Sequence, residues 1–584
     1  MQKRSKYCGE VSVEDIGKQI VIQGWVDGRR DHGGLIFIDL RDRAGMVQAV
    51  IDPQVDPELF KLAETIRSEF VLEIVGEVQS RPEGTENPDL ATGQVEVQIK
   101  SMEILNSSNT PPFAIEDGIT TDENTRLKYR YLDLRRPEMQ KRLVLRHKVV
   151  KFMRDYMDNL GFVEVETPIL IKSTPEGARD YLVPARLYPG SFYALPQSPQ
   201  QLKQLLMVSG IDKYFQIAKC FRDEDPRADR QPEHTQLDIE MSFVKQDDIF
   251  EVVENLFMQL VPEFSEKNVM FQPFRRLTYA EAMDNYGSDK PDLRFGMEIY
   301  DLTDIGKASG FKVFQNSEQI RGICAQGCGD YTRGQIDELT NLAGEFGAKG
   351  LVTIALTDEG IKSPVAKFFK QEEMDAIIER ARAKPGDLIM IVAGGPNVVA
   401  ESLGGLRSEM GKRLELADPN VLAFAWVLDF PLLKWSEEDN RWDAEHHPFT
   451  MPNEDDIQYL DDDPGRVRGQ CYDLVCNGHE LASGSIRIHR SDIQQKVFSL
   501  LNMTEDDIQA RFGHLINAFG YGAPPHGGIA PGIDRLLMVL TDEENIREVM
   551  AFPKTTTAVD PMFEAPSPVD ERQLRELHLK VVED

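Results

Sequence analysis

The chain has 584 residues, with 66 basic against 98 acidic side chains and a formal charge of −32. That length leaves room for about three or four domains with ample core, and the charge argues against indiscriminate nucleic-acid binding, so an RNA partner would have to be met by local basic surface. The six cysteines (Cys8, Cys220, Cys324, Cys328, Cys471, Cys476) form no Cys-x-x-Cys pair, no apolar segment follows the basic residues of MQKRSKYCGE, and no apolar run is long enough to span a membrane; together these features read as reduced thiols in a cytoplasmic protein.

Residues 1–108 alternate short strands and turns: Ile20 to Val26, Leu35 to Leu40, Met46 to Ile51, Phe70 to Val78 and Val95 to Leu105, with a helical interlude from Pro57 to Arg67. Five strands and one helix suggest a small β-barrel of the OB type. A charged turn, Gly28 to Gly34, precedes the strand with Phe37. Such a barrel can stack unpaired bases on an aromatic ring and clamp phosphates with arginine, although Phe37 in the core with solvated arginines is an equally open reading. Asn106 to Pro112 reads as a linker, and the arginine-rich stretch Thr125 to Arg142 as a hinge or a solvated connector.

From about Leu143, Leu145, Val149, Met153, Met157 and Leu160 recur at helical spacing, Gly161 is a natural C-cap, and a strand follows that Pro168 ends. Tyr214 to Phe221 is an apolar segment of strand length. Beyond the next loop Leu237, Ile239, Met241 and Phe243 alternate with Gln236, Asp238, Glu240 and Ser242, predicting a strand with one buried and one polar face. The loop between them carries Arg222, Arg227 and Arg230 with five acids, more charge than a hairpin needs. An isolated loop of this kind is usually solvated, but Asp238 and Glu240 project together from a strand whose other face is core, which aims both at a cleft. Asp301 to Val399 alternates helices (Arg333 to Phe346, Gln371 to Lys384) with short strands (Leu351 to Ala355, Leu388 to Ala393), like an independent α+β module. Val421 to Leu428 is a fully buried strand. In Gly527 to Arg535, glycines would let backbone approach a ligand, and the apolar run LLMVL would be a packed helix fixing Arg535. A last helical stretch runs from Asp570 to Val582.

The helix, strand and proline around Gly161, the Phe-Arg-x-Glu of Phe221, Arg222 and Glu224, and the glycine-rich segment ending at Arg535 occur in one order. In that order they resemble the three signature motifs of class II aminoacyl-tRNA synthetases. TPEGARDY at Thr174 to Tyr181, QSPQ at Gln197 to Gln200 and HHPF at His446 to Phe449 resemble the bacterial-type aspartyl branch, and the resemblance covers essentially the whole chain. It implies a multidomain α+β fold: an OB-fold anticodon-binding domain (1–108), a hinge (109–142), an antiparallel-sheet catalytic domain in two parts (143–286 and 416–560), an inserted α+β domain (287–415) and a C-terminal extension (561–584).

The reaction it implies is attack of the aspartate α-carboxylate on the α-phosphate of ATP, then transfer of the acyl group to a ribose hydroxyl of tRNA. Two anions must meet at an in-line phosphorus centre. By resemblance, Arg222 bridges the carboxylate and α-phosphate, Arg535 holds the γ-phosphate, Asp223, Glu224, Gln231, Glu480, Gly532, Ile533 and Asp534 complete the ATP site, and Asp473 and Glu480 hold Mg2+. Lys203 and Arg487, assisted by His446, would take the side-chain carboxylate of L-aspartate; Glu176, Ser198, Gln200 and Asp238 would serve its amine and order the pocket. A neutral asparagine would leave buried charge unpaired, and mismatches of this kind reject an analogue by roughly 10⁴-fold.

For anticodon reading, Arg30, Phe37, Gln48 and Glu96 match the family's contact positions, while Val50 stands where some members carry a further aromatic. His32 and Gly84 match the relaxed pattern of members that charge both tRNA(Asp) and tRNA(Asn). A homodimer and a cytoplasmic location complete the expectation. The alternatives are an enzyme confined to tRNA(Asp), a sister enzyme of the same fold that activates asparagine or lysine or makes asparagine by amidation, and a catalytically silent tRNA-binding paralogue.

Overall fold

The computed structural model describes every residue except Val55, Pro175–Gly177, Glu438 and Glu583–Asp584. It divides into two compact units, Met1–Arg146 with Arg547–Pro568, and His147–Ile546 with the C-terminal residues from Val569.

The first unit contains a closed barrel of five strands, Gln19–His32, Leu35–Asp42, Gly45–Ile51, Val71–Ser80 and Val95–Asn106. It closes because the first strand pairs with both the second and the fourth. Alternate residues such as Ile22, Ile36, Ile38, Val47, Leu72 and Ile74 fill its interior. The first strand runs further than its charged sequence suggests: Arg29 to His32 are paired with the second strand, and the connection is only Gly33–Gly34, both at positive φ (63° and 82°). Two glycines suffice for a two-residue hairpin, so the expected seven-residue turn shortens to its tip. The helix Pro57–Thr65 starts where Asp56 accepts hydrogen bonds from Glu58 N and Leu59 N and Pro57 presets its first turn.

The arginine-rich stretch is neither solvated nor a bare connector. Arg130 is 2% exposed, pairs with Asp133, and donates to the carbonyls of Arg547, Met550 and Ala551 at 2.7–3.0 Å. Arg126 and Arg142 reach Glu548 at 2.8 and 3.1 Å. Here the arginines hold the returning C-terminal segment, because a guanidinium offers enough donors to satisfy several backbone carbonyls at once.

The second unit is built on an eight-stranded sheet in the order Arg275–Thr278, Phe424–Leu428, Cys471–Cys476, His479–Ile486, His526–Pro531, Glu233–Ser242, Lys213–Phe221, Val163–Glu164, antiparallel except at its two edge pairings. Phe250, from the helix Gln246–Phe264, stacks on Trp426 with 4.2 Å between centroids and meets Tyr472 edge-on. Val149, Met153 and Met157 form the buried face of the helix that ends at Asn159, and Gly161 follows at φ 77°. Only Val163–Glu164 of the expected strand is paired. Val421 to Leu428 is two strands, broken where Asn477 Oδ1 accepts from Ala423 N.

In Glu233–Ser242 every residue from Thr235 onward is buried, so its polar face is enclosed rather than open. Phe243, expected on the core face, is 72% exposed at φ 59°: the backbone leaves strand geometry there and the alternation stops. The inserted segment forms its own five-stranded antiparallel sheet, Tyr300–Asp301, Gln319–Ala325, Leu388–Gly394, Val352–Thr357, Gly360–Lys362. Its central strand is apolar on both faces, Leu388, Met390 and Val392 packing to one side and Ile389 and Ile391 to the other. The C-terminal helix spans only Glu571–Glu576, shorter than expected, and His578 at φ 58° lies beyond its end.

Candidate active site

A cleft of about 450 Å³ opens over one face of the eight-stranded sheet and gathers side chains from four of its strands, the helix Gln200–Val208 and the first turn of the helix Ile533–Thr541. At its floor are four fully buried charges. Lys203 Nζ lies 2.6 Å from Asp238 Oδ1 and 3.1 Å from Glu240 Oε2; Arg487 donates Nε to Glu240 Oε1 (3.0 Å) and a second N–H to Oε2 (3.2 Å). Two cations against two anions make the set neutral, the condition under which such groups survive burial. Burial works against ionising Glu240, yet Arg487 and Lys203 overcome it and hold its carboxyl down at about 2. Asp238 shares only the lysine, so burial wins and its pKa is raised. Gln236 Nε2 caps Asp238 Oδ2 at 2.7 Å. Beside them Gln200 Nε2 donates to Gln204 Oε1 (3.1 Å), Gln200 N to Ser198 Oγ (3.3 Å), and Gln204 Nε2 meets His526 Nε2 (3.1 Å).

Above this floor stands Arg222, at the end of the strand Lys213–Phe221. Its backbone N–H is tied to Pro232 O at 2.8 Å, while its guanidinium has no hydrogen bond or ion pair among the described residues. A half-buried arginine that faces the cleft and has no anionic partner among the described residues is a ready grip for a carboxylate or phosphate. Glu224 accepts from Arg230 at 3.0 Å. Asp223 is bonded by its backbone N–H to Arg179 O and stands outside the cleft lining. Arg535 donates to Glu480 O (2.8 Å) and pairs with Asp229 at 3.2 Å. Asp534 Oδ2 accepts from Thr235 N at 2.8 Å, which locks the helix to the strand, and Ile533 is wholly buried and does not line the cleft. Gln231 is buried in the cleft wall. The expectation that the glycines of 527–532 open onto a ligand applies to Gly532 alone; a Cβ on Gly527 would strike Ile486 at 2.6 Å and one on Gly528 would strike Glu240 Oε2 at 2.0 Å, so these two admit protein neighbours. Glu176 lies outside the described residues.

At the rim, burial opposes charging of His446, but Asp473, whose Oδ1 is 3.4 Å from Nε2, holds its imidazole well above the ordinary range. Glu480 is pushed up, chiefly by burial and then by Asp473. Asp473 Oδ1 has no aligned hydrogen-bond donor among the described residues. Two close acids with an orphaned buried oxygen are a donor set that a hard divalent cation fits.

On the barrel, Arg30 reaches Asp39 (3.0 Å) and Gln48 Oε1 (3.1 Å), and Gln48 Nε2 donates to Glu96 Oε2 (2.8 Å). Phe37 is half-buried, paired between Arg30 and Val50. The structure thus joins four sequence-predicted residues on one face. His32 is exposed beside the hairpin tip, and Gly84 sits at φ 83° with its N–H on Glu86.

A family model for class II tRNA synthetases (D, K and N) matches residues 122–556, and one for an OB-fold nucleic acid binding domain matches 20–105. The chain belongs to the class II tRNA synthetases. A relative in Rubrobacter xylanophilus named aspartate–tRNA(Asp/Asn) ligase is 56% identical over 99% of this chain and 97% of its own. Another of that name in Syntrophomonas wolfei is 54% identical over all of both chains. Among solved structures, asparaginyl-tRNA synthetase from Pyrococcus horikoshii aligns with TM-score 0.60 at 19% identity, covering 95% of this chain and 99% of that one; a putative aspartyl-tRNA synthetase from Leishmania major gives 0.58 at 19%, covering 95% and 94%. At that identity the likeness is one of fold.

In this synthetase the site also uses residues to which the sequence alone gave no role. His447 Nε2 lies 2.6 Å from Arg487, and burial together with that arginine keeps its imidazole well below the ordinary range. Ser485 Oγ accepts from Arg487 at 2.6 Å, and Asp229 and Asp39 anchor Arg535 and Arg30. His447 was signalled by its neighbour His446 and Glu240 by its register with Asp238. Ser485 has no local signature.

Proposed function

We propose that this synthetase activates L-aspartate with ATP and transfers it to both tRNA(Asp) and tRNA(Asn). The observation that carries the reading is the buried quartet of Lys203, Asp238, Glu240 and Arg487 beneath the guanidinium of Arg222, which has no ion pair among the described residues. A side-chain carboxylate entering the cleft meets two fixed cations, and its ammonium meets Asp238 and the amide of Gln200, a pattern that no neutral or basic side chain would satisfy. Arg222 draws the α-carboxylate and α-phosphate of ATP together and balances the charge that grows at phosphorus, and Arg535 holds the far phosphate. Glu224, Gln231 and the backbone at Gly532 frame the rest of the nucleotide. Asp473 and Glu480 would hold Mg2+, which supplies further neutralisation of phosphate charge. The Arg30, Phe37, Gln48 and Glu96 face reads unpaired anticodon bases, and His32 and Gly84 carry the relaxed pattern of enzymes that charge both tRNAs. The names and near-complete coverage of the bacterial relatives support both tRNAs as substrates. The exposed apolar side chains of Leu170, Leu182 and Leu187 support a homodimer.

The test is aspartate charging of separate tRNA(Asp) and tRNA(Asn) transcripts by purified enzyme with ATP and Mg2+. Comparable charging of both is expected. Charging of tRNA(Asp) alone would remove the second substrate, and charging of neither would leave a silent tRNA-binding protein.

A further inference from the structure

The guanidinium of Arg487 has five N–H groups, and protein acceptors claim most of them. Nε and one N–H of Nη2 go to Glu240 at 3.0 and 3.2 Å; Nη1 faces Ser485 Oγ and His447 Nε2, each at 2.6 Å. The fork is therefore held on both sides, by Glu240 and by Ser485 Oγ; His447 Nδ1 accepts from Phe449 N, so the neutral ring carries its proton on Nε2 and lies against Nη1 without accepting from it, and the second N–H of Nη2 is left to a ligand. What commits it is a carboxylate in an unusual seat. Glu240 is wholly buried and occupies the space where Gly528, on the neighbouring strand, has no side chain: a Cβ there would lie 2.0 Å from Glu240 Oε2 and 2.1 Å from Ile239 O. The same carboxylate reaches Lys203 at 3.1 Å, so it touches both cations of the pocket while lying outside the cleft lining.

We propose that Glu240, seated in the gap of Gly528, is the positioning residue of the aspartate pocket: it fixes Arg487 so that a single directed N–H meets the substrate carboxylate, and trades cation strength for aim. This inference rests on the reading that Arg487 and Lys203 receive aspartate. It distinguishes two effects of opposite sign. A carboxylate that merely competed for the cations would weaken aspartate binding, and its loss would tighten it. One that holds the arginine in place would have the reverse effect, because a freed guanidinium must be reordered by the substrate.

The experiment is aspartate-dependent ATP–pyrophosphate exchange by the full-length enzyme, wild type beside Glu240→Gln and Ser485→Ala. Exchange by the wild type with aspartate is checked first; its absence would defeat the aspartate reading and this inference with it, whereas failure in the variants alone would defeat only this one. Given that activity, Glu240→Gln is expected to raise KM for aspartate about tenfold or more and leave KM for ATP within about twofold, since a hydrogen bond to a charged group is lost at one substrate only. Ser485→Ala keeps every charge, releases Nη1 and is expected to raise the same KM by about threefold. If Glu240→Gln fails to fold, Ser485→Ala decides. A lower or unchanged KM for aspartate in the folded variants, or an equal loss for both substrates, would overturn the proposal.

Discussion

The two largest sheets of the second unit bury interior strands in opposite ways. Leu388–Gly394, at the middle of the inserted sheet, places Leu388, Met390 and Val392 in one apolar cluster and Ile389 and Ile391 in another. Glu233–Ser242, deep in the eight-stranded sheet, is as inaccessible but carries Asp238 and Glu240 at zero exposure, and has recruited Lys203 and Arg487 to neutralise them. An apolar strand buried on both faces is what stability alone produces. Four buried charges cost several kcal/mol of desolvation that packing does not require, so their presence marks where the molecule meets a charged ligand.

That contrast predicts distinct failures. Lys203→Met removes one cation from a neutral set and leaves the buried Asp238 without its cation, while Glu240 keeps Arg487; a loss of about 3–5 kcal/mol in urea unfolding is expected, together with loss of aspartate activation. Wild-type stability in this variant would show that the charges are not coupled to the fold. Arg222→Ala removes a half-buried guanidinium that has no ion pair among the described residues, so pyrophosphate exchange should fall about 10²–10³-fold while the unfolding midpoint stays in place. A stability loss of similar size would make Arg222 structural. Arg30→Ala, on the barrel, should raise KM for tRNA about tenfold in charging assays and leave exchange untouched, because activation takes place in the other unit. Ile391→Val in the inserted sheet should cost about 1 kcal/mol and change neither reaction. Altered aspartate kinetics in that variant would tie the inserted sheet to the cleft and weaken the contrast.

The same difference governs how much was legible beforehand. Apolar periodicity places the strands and helices of the inserted sheet to within a few residues, since Leu388 to Ala393 and Arg333 to Phe346 obey patterns set by packing alone. In the barrel the strand pattern was legible, but the reach of the first strand to His32 was masked by charges that a two-glycine tip allows to remain paired. Motif residues Arg222, Lys203 and Arg487 were legible through resemblance. The geometry that joins them was not: alternation aimed Asp238 and Glu240 together at a cleft, and Asp238 lines it, whereas Glu240 is enclosed against Gly528 of the neighbouring strand, a glycine that looked like an opening for ligand because a sequence does not say which strand lies alongside. Pairings across hundreds of residues, such as Arg126 with Glu548, leave no local trace either.

The most direct test of the central claim is amino-acid-dependent ATP–pyrophosphate exchange by the wild-type enzyme with each of the twenty amino acids in turn. Exchange with aspartate, at least about 10³-fold above asparagine in kcat/KM, is the predicted result, because only a carboxylate answers the two buried cations. Comparable exchange with asparagine or lysine, or none with aspartate, would contradict it.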